Sequence, residues 1–239
     1  MMQRCSLGSL TRIVFLPQKC HTRSFWEYVN MMFNKPDMHR IKTVGPDRAC
    51  AEWVLKNGGK VTWADGKKQS DYNLLPPDEI KTPKLLEIDG TDSSISHYGF
   101  SHLEGCTMLK KIVLHNNKYI DDRALKGLSY AKDVLTFVQV SKCINVTDPG
   151  LKEMIVLRNL KTLVLYDLAS VENLADCKQF LGSGLPNCQI TDIKITQWHL
   201  RSHLSSMFNI VFYGDTNKSI FVYGMQLSAY FTFQERRKM

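Results

Sequence analysis

The sequence predicts an α/β fold in which short parallel strands stack into a solenoid, closed at its start by a helical cap. Two observations predict it. Apolar triplets recur at a near-constant interval between about residues 85 and 185, and two helical patterns containing tryptophan precede them. A repeated unit of this length cannot bury its apolar face alone, so neighbours must stack and the first unit must be covered.

The triplets Leu86–Ile88, Ile112–Leu114, Val138–Val140 and Leu163–Leu165 begin 26, 26 and 25 residues apart. Alternate side chains of a strand face opposite ways, so the first and last members of each triplet share one face. We expect these members to form the core. The predicted core columns are Leu86, Ile112, Val138 and Leu163, beside Ile88, Leu114, Val140 and Leu165.

A turn residue follows each triplet at a fixed distance. Asn117 and Cys143 stand three residues past the second and third triplets, and Thr91 and Leu168 take the same place after the other two. Asn or Cys at this place is typical of a leucine-rich repeat, which has one strand and one helix per unit. The sequence therefore predicts about four leucine-rich repeats over residues 84–188.

The residues between the core columns predict a second, outward face of the sheet. This face mixes apolar, aromatic and polar side chains, including Phe137, Tyr166 and His115. Such a mixture suits a protein partner better than a nucleic-acid backbone, and a solvated sheet without a ligand is the alternative. The predicted partner-binding residues are Lys111, Val113, His115, Phe137, Gln139, Ser141, Val164 and Tyr166.

Residues 1–25 predict a mitochondrial transit peptide. They contain four Lys or Arg residues, several Ser and Thr, and no Asp or Glu. Basic leaders without acidic residues are typical of organelle targeting, and the apolar run Ile13–Leu16 is too short for a secretory signal or a membrane span. We expect cleavage near Arg23–Phe25; the alternative is an ordinary basic tail.

Residues 26–83 predict the helical cap. Apolar residues recur at helical spacing from Trp26 to Phe33. A second helix opens at Gly45–Asp47, with proline in its first turn, and Asn57–Gly59 ends it. A short strand at Val61–Trp63 follows. This segment has the right size to cover the open end of the repeats.

Charge and motifs favour a protein that binds other proteins over an enzyme or a nucleic-acid binder. Of the formal net charge of +8, the leader supplies +4 and the residues after Cys188 supply +3, so the folded body carries almost none. No phosphate-binding loop, zinc-protease motif or serine-nucleophile motif is present. The pairs Asp121-Asp122 and Thr147-Asp148 recur at the repeat interval, which indicates helix caps and not catalytic acids. We expect no catalytic residues, no nucleic acid and no small-molecule substrate.

The seven cysteines include no C-x-x-C pair. Two lie in the leader, and the odd five that follow indicate free thiols in a reduced compartment. Cys143, at the repeat's turn position, is predicted to be a core residue.

Residues 189–239 depart from the repeat pattern. Two apolar stretches, Phe208–Tyr213 and Ser219–Tyr223, flank a polar segment and predict a hairpin. The longest uncharged run, Ser219–Gln234, has 16 residues, fewer than the roughly 20 that cross a bilayer. We interpret this part as an atypical and poorly ordered C-terminal extension.

Several short segments match one known family. They are Phe25-Trp26, Phe33-Asn34-Lys35, Val44–Ala49, Glu52-Trp53, Asp71–Asn73, Leu75-Pro76, Ile88-Asp89, Thr91–Ser93 and the run from Cys143 to Gly150. By these segments, residues 25–188 closely resemble the mitochondrial coupling factor B family, also called ATP synthase subunit s or distal membrane arm assembly component 2-like. The helix start at Gly45–Ala49, followed by Glu52-Trp53, is the most specific of them.

The resemblance implies a non-enzymatic protein peripheral to the mitochondrial inner membrane, on the matrix side. It implies a role in ATP synthase coupling and proton conduction, with ATP synthase or another inner-membrane respiratory complex as the partner. The alternatives are an assembly factor for the membrane arm of complex I and, less favoured by the leader, a leucine-rich repeat adaptor of a ubiquitin ligase.

The resemblance also implies a Mg²⁺ site made by backbone groups of Gly58, which ends the long helix, and Thr91, in the first repeat. Mg²⁺ prefers carboxylate and water oxygens in octahedral geometry, so such a site would be weak and mostly hydrated. Asp89 and Asp92 are expected to supply outer charge. The alternative is that Gly58 only stops the helix. One departure from the family is clear: where mammalian members have two close cysteines, this chain has Leu114–Tyr119, without a thiol.

Overall fold

The structure, a computed structural model, describes residues 25–192. The strands are β1 (Lys60–Trp63), β2 (Lys68–Gln69), β3 (Leu85–Asp89), β4 (Lys111–His115), β5 (Phe137–Ser141), β6 (Thr162–Tyr166) and β7 (Gln189–Thr191). The α-helices are α1 (Phe25–Asn34), α2 (Met38–Val44), α3 (Pro46–Lys56), α4 (Asp122–Gly127), α5 (Asp148–Glu153) and α6 (Leu174–Gly184). Short 3-10 helices lie at Tyr72–Leu74, His97–Leu103, Leu128–Ala131 and Met154–Val156.

A seven-stranded sheet organises the described part of the chain, which confirms the α/β class. The strand order is β2-β1-β3-β4-β5-β6-β7. Strand β1 pairs antiparallel with β2 and β3, whereas β3 to β7 pair in parallel. Helical segments connect the parallel strands, because parallel neighbours need a crossover connection. The curvature of a leucine-rich repeat solenoid stays a prediction.

The register follows the predicted interval from β4 onward. Ile112 pairs with Val138, and Val138 pairs with Leu163. These residues and the second column, Leu114, Val140 and Leu165, are buried. Leucine and isoleucine side chains from the connecting helices complete one continuous core. Because each unit buries its apolar side against the next, the repeat length in the sequence fixes the strand alignment.

The prediction for the first strand was wrong. Ile88, and not Leu86, pairs with Ile112, so the first interval is 24 residues, from position 88 to 112. Leu85 is fully buried at the start of β3, and Leu86 is only partly buried. The reason is the neighbour on the other side: β3 also pairs with β1, and the Leu85 N–H donates to the Asp47 carboxylate at 3.0 Å. The alignment of β3 is therefore set by the cap as well as by the repeats.

The cap is helical first, as predicted, but it also extends the sheet. Helix α2 begins after Asp37, which accepts hydrogen bonds from two backbone N–H groups, and α3 begins with Pro46. Gly58, at φ +81°, follows the end of α3 in the left-handed conformation that glycine adopts without strain. The hairpin β1–β2 then lies at the edge of the sheet.

Turns after the strands repeat as regularly as the strands. Asp92, Asn116, Lys142 and Asp167 all have φ between 50° and 54° and lie at equivalent places. Asn117 is fully buried after one such turn, where its side chain accepts from Tyr119 N and donates to a serine hydroxyl. The predicted roles of Asn117 and of buried Cys143 as turn and core residues are confirmed.

The predicted capping role is confirmed for Asp121 but is wrong for Thr147, whose side chain makes no cap bond to α5. Acidic residues of both pairs also link neighbouring repeats. Asp121 caps α4 by accepting from Ala124 N at 3.1 Å. Asp122 accepts from Thr147 N at 2.8 Å, and Asp148 accepts from Glu172 N at 2.8 Å. Each carboxylate of this kind joins one repeat to the next, about 25 residues later in the chain.

The sheet continues past the predicted end of the repeats at residue 188. Strand β7 pairs with β6, and Thr162 lies opposite Gln189. The predicted transit peptide up to residue 24 and the predicted hairpin at 208–223 lie outside the described residues. Within residues 25–192, no helix is long and apolar enough to cross a membrane.

Candidate functional site

Four polar side chains form a hydrogen-bonded cluster on the predicted partner-binding face. The Gln139 amide donates to Ser141 Oγ at 3.0 Å and lies 3.4 Å from the Tyr166 hydroxyl. His115 Nδ1 lies 2.8 Å from Ser141 Oγ and 3.2 Å from the Tyr166 hydroxyl. Three neighbouring parallel strands, β4 to β6, supply these side chains: His115, Ser141 and Tyr166 lie at one register position, and Gln139 lies two residues before Ser141 on the same face.

The surroundings of His115 keep its ring neutral. Its Nδ1 lies within hydrogen-bond distance of Ser141 Oγ, which also accepts from the Gln139 amide. Partial burial, followed by the positive charge of Lys142, lowers the pKa of His115, so the ring is neutral at pH 7. The cluster therefore carries no net charge of its own.

The eight predicted partner-binding residues do share the face, but half of them are buried. Gln139, Ser141, Val164 and Tyr166 are each less than one-tenth exposed. The other four, Lys111, Val113, His115 and Phe137, are partly exposed. The sequence pattern predicted the alternation of side chains but not this burial, which depends on contacts between residues on different strands.

The first row of the face differs from the prediction because of the shifted first strand. The predicted register of the triplets would place Leu85 opposite Lys111, but Glu87 lies there. Lys111 Nζ is 3.6 Å from the Glu87 carboxylate and 5.4 Å from the centre of the Phe137 ring. The edge of the face is thus a charged pair beside an aromatic ring.

The two predicted Mg²⁺ residues lie on neighbouring segments of the chain. Lys60 pairs with Asp89 at the end of the antiparallel ladder, so Gly58 and Thr91 each lie two residues beyond it. Ser94 N also donates to Asn57 O at 2.8 Å, which joins the end of α3 to the loop after β3. This proximity could not be predicted from the sequence, because it depends on which strand β1 pairs with.

The oxygen donors at this corner fit a largely hydrated ion. Backbone carbonyls are ligands that Mg²⁺ accepts, and Asp89 is the adjoining carboxylate. However, one oxygen of Asp89 accepts from Thr91 N at 3.0 Å and from Thr91 Oγ1 at 2.6 Å. Residues 25–192 contain no group of three or more His, Cys, Asp or Glu side chains arranged for a metal. The protein would therefore hold few of the six octahedral positions.

The sequence did not predict a buried hydrogen-bond network around the Asn34 side-chain amide. Asn34 Oδ1 accepts from Trp53 Nε1 and from Ser96 N, each at 2.9 Å. Asn34 Nδ2 lies 3.0 Å from both Asn57 Oδ1 and Ser94 O. The signal was an asparagine within an apolar helical pattern, three residues before Asp37. Its partners, however, lie up to 62 residues away.

The polar cluster suits recognition better than catalysis. A serine hydroxyl bonded to an imidazole resembles an activated nucleophile, but Ser141 is fully buried and shares Nδ1 with Tyr166. A substrate could not reach its oxygen. The exposed groups near it are the His115 ring and the edge formed by Lys111 and Phe137.

Curated relatives match most of this chain. The chain is 38% identical over 179 residues to the ATP synthase subunit s, mitochondrial, of Pongo abelii, a match that covers 73% of this chain and 90% of the relative. The chain belongs to the mitochondrial ATP synthase subunit s family. The member from Rattus norvegicus is 37% identical over 191 residues (77% and 96% covered), and that from Mus musculus is 38% identical over 192 residues (79% and 93% covered).

Membership of the subunit s family confirms the resemblance to coupling factor B that the sequence motifs indicated. No family model matches the chain. The relatives align over nearly their whole length, so the family's fold extends over both the cap and the repeats.

Proposed function

We propose that this chain is a non-enzymatic accessory protein of mitochondrial ATP synthase. It docks peripherally on the matrix side of the inner membrane and contributes, through contacts with other proteins, to the coupling of proton conduction to ATP synthesis. The observation that carries the proposal is the match to proteins named mitochondrial ATP synthase subunit s over 90% or more of their length.

The sheet face is the proposed docking surface. If the parallel strands curve as leucine-rich repeats do, this face is concave, and such faces bind partners in repeat proteins. The polar cluster holds His115 and Tyr166 in one arrangement, so little side-chain freedom is lost on binding. Phe137 supplies an aromatic contact next to Lys111, and aromatic residues often carry most of the energy of an interface.

Affinity capture from intact mitochondria after chemical crosslinking tests the proposal. We expect ATP synthase subunits to be the main crosslinked proteins of the wild-type chain. We expect Phe137→Ala together with His115→Ala to reduce their recovery about tenfold or more, the loss expected for central interface residues. Tyr130→Ala, at a half-exposed tyrosine on another element, is the matched control and should leave recovery unchanged.

Recovery of complex I membrane-arm proteins instead of ATP synthase would contradict the proposal and favour the assembly factor. Equal recovery by the double variant and the wild type would show that the sheet face is not the docking surface. Circular dichroism of each variant separates loss of binding from loss of folding.

Mg²⁺ at Gly58 and Thr91 is proposed as a stabilising ligand of this same protein. The ion would link the end of α3 to the loop after β3, and the gain in unfolding free energy follows its concentration relative to its dissociation constant. We expect millimolar-range Mg²⁺ to raise the thermal midpoint of the wild type slightly, and Asp89→Asn to reduce that rise. An equal rise with and without the carboxylate would contradict a role for Asp89, and no rise would exclude the site.

A further inference from the structure

One face of helix α3 packs against the segment of the first repeat that ends in Cys106. Pro46, Cys50 and Trp53 follow one another on α3 at spacings of four and three residues, so their side chains share one side of the helix. Gly105 lies against the first of them, since a Cβ at Gly105 would be 3.0 Å from the Cβ of Pro46. The start of this helix face is therefore held against the residue just before Cys106.

Trp53 holds the other end of the same face. Its ring stacks on the His102 imidazole at 5.1 Å between centroids and meets the Phe100 ring edge-on at 5.8 Å. The Cys106 thiol donates to His102 O at 3.5 Å, about one turn further along the segment. Contacts on both sides thus leave Cys50 in the middle of the helix face, opposite Cys106.

The thiols of Cys50 and Cys106 meet inside the core. Cys50 is fully buried and Cys106 is 2% exposed, and both thiols are free in the structure. Burial raises the pKa of Cys50 well above its usual value, and a hydrogen bond with the Cys106 side chain raises it further. Two thiols in contact can do what a single buried thiol cannot, which is to join as a disulfide.

The other three cysteines of residues 25–192 have different neighbours. Cys143 Sγ lies 3.4 Å from Ser141 O, and Cys177 Sγ lies 3.3 Å from the Asp148 carboxylate. Burial raises the pKa of Cys188. These thiols contact oxygen atoms or apolar groups, so they are natural controls for the chemistry of the pair.

We propose that Cys50 and Cys106 are a redox-active pair, which a small peroxide oxidises to a disulfide between α3 and the first repeat. Hydrogen peroxide is the class of oxidant that suits the site, because it is uncharged and nearly as small as water. Oxidised glutathione is charged and too large to reach two buried sulfur atoms. The proposal does not depend on which complex the protein binds.

The reaction removes two electrons from the pair and passes them to the peroxide. The Cys106 thiolate attacks one peroxide oxygen, so an S–O bond forms, the O–O bond breaks, and the leaving hydroxide takes up the Cys106 proton as water. The Cys50 sulfur then attacks the Cys106 sulfenic acid, which forms the S–S bond, breaks the S–O bond and releases a second water with the Cys50 proton. Cys106 attacks first because Cys50 holds its proton more tightly.

The disulfide closes the chain across three strands of the sheet. Strands β1, β2 and β3 lie between Cys50 and Cys106 in the sequence. A cross-link that closes a long loop stabilises a protein mainly by restricting its unfolded chain. After oxidation, α3 and the first repeat can no longer separate, so the cap and the sheet unfold together.

Peptide mapping of the folded full chain tests the proposal directly. The chain is reduced, freed of reductant, treated with hydrogen peroxide, and its remaining thiols are alkylated before digestion. Trypsin releases Cys50 in residues 49–56 and Cys106 in residues 85–110, each without another cysteine. We expect mass spectrometry to find these two peptides joined, with two hydrogen atoms lost, as the main cross-link. The cross-link should form faster at higher pH, because more thiolate is present.

Matched variants connect the cross-link to stability. Cys50→Ala removes one sulfur at a helix position that alanine suits, and Cys143→Ala removes a buried thiol outside the pair. We expect peroxide to raise the urea midpoint of the wild type and of Cys143→Ala, and to leave that of Cys50→Ala unchanged. In Cys50→Ala, oxidation of Cys106 should stop at the sulfenic acid, which a 1,3-diketone reagent traps.

Absence of the joined peptides from the peroxide-treated wild type would overturn the inference. Cys50 or Cys106 joined mainly to a different cysteine would overturn it as well. An equal rise of the urea midpoint in Cys50→Ala would show that peroxide stabilises the chain at another place. The peptide mapping needs no variant, so it decides the inference even where a substituted chain fails to fold.

Discussion

The cap and the repeats are held by different kinds of interaction. Asp47, Arg48 and Glu52, the buried charged residues of positions 25–192, all lie on α3. Arg48 and Arg40 both donate to the Glu52 carboxylate, at 3.1 Å and 2.6–2.9 Å. The repeats instead stack fully buried leucine, isoleucine and valine side chains across parallel strands. The cap therefore adds buried ion pairs to its apolar packing, whereas the stacked columns of the repeats are purely apolar.

The two regions should therefore tolerate amino-acid substitutions differently. Apolar packing has no direction, so a repeat accepts another side chain of similar volume. A buried hydrogen-bond network has fixed partners, so any replacement that leaves them unpaired is costly whatever its size. Substitutions of matched size and different polarity separate the two cases.

The largest expected effect is in the repeats. Leu125, on α4, is fully buried. We expect Leu125→Ala to lower the free energy of unfolding by about 4 kcal/mol, since it removes apolar contact and leaves a cavity. Leu125→Met, which keeps the volume, should cost less than about 1.5 kcal/mol. Urea unfolding followed by circular dichroism measures both. Equal losses would show that the repeats need a side chain of a particular shape and not only of a particular volume. That result would contradict the proposed difference between the repeats and the cap.

A smaller loss of unfolding free energy is expected in the cap, where it should depend on the polarity of the new side chain and not on its volume. Asn34→Leu keeps a side chain of similar size but makes it apolar, which leaves Trp53 Nε1 and Ser96 N without their acceptor. We expect a loss of about 2 kcal/mol, and a similar loss for Asn34→Ala. Asn187→Leu, at an exposed asparagine, is the control and should change stability by less than about 0.5 kcal/mol. If Asn34→Leu were as stable as the wild type, packing would dominate the cap too.

The same distinction explains what the sequence could predict. The repeats were predictable because one period governs both the sequence and the register, from Ile112 to Leu165. The helix boundaries of the cap were also predictable, since Asp37 and Pro46 are local signals. The first register shift was not, because it depends on pairing between β1 and β3. Nor were the Asn34 network and the burial of Gln139, since hydrogen-bond partners distant in sequence leave no periodic signal.

The smallest expected effect concerns acid. Burial lowers the pKa of His102, which stacks on Trp53 at 5.1 Å between ring centroids, and burial also lowers that of His115. A depressed histidine pKa means that the unfolded chain binds more protons, so stability is complete above the ordinary value of 6.5 and falls as pH drops below it. Burial opposes the charge of Glu52, yet hydrogen bonds from Arg40 leave its pKa below the ordinary 4.5, so its contribution is lost only at lower pH.

Two acid transitions in stability are therefore expected, one from each group. His102→Gln should remove part of the first loss, below about pH 6.5, and Glu52→Gln should flatten the second, below about pH 4.5, while destabilising the chain at neutral pH. Unfolding free energies measured by urea titration across this range test both. Since Glu52 acts within the cap, amide hydrogen exchange at acid pH should accelerate in α3 before it accelerates in β4 to β6. Simultaneous acceleration would mean that cap and repeats unfold as one cooperative unit, whatever holds each of them together.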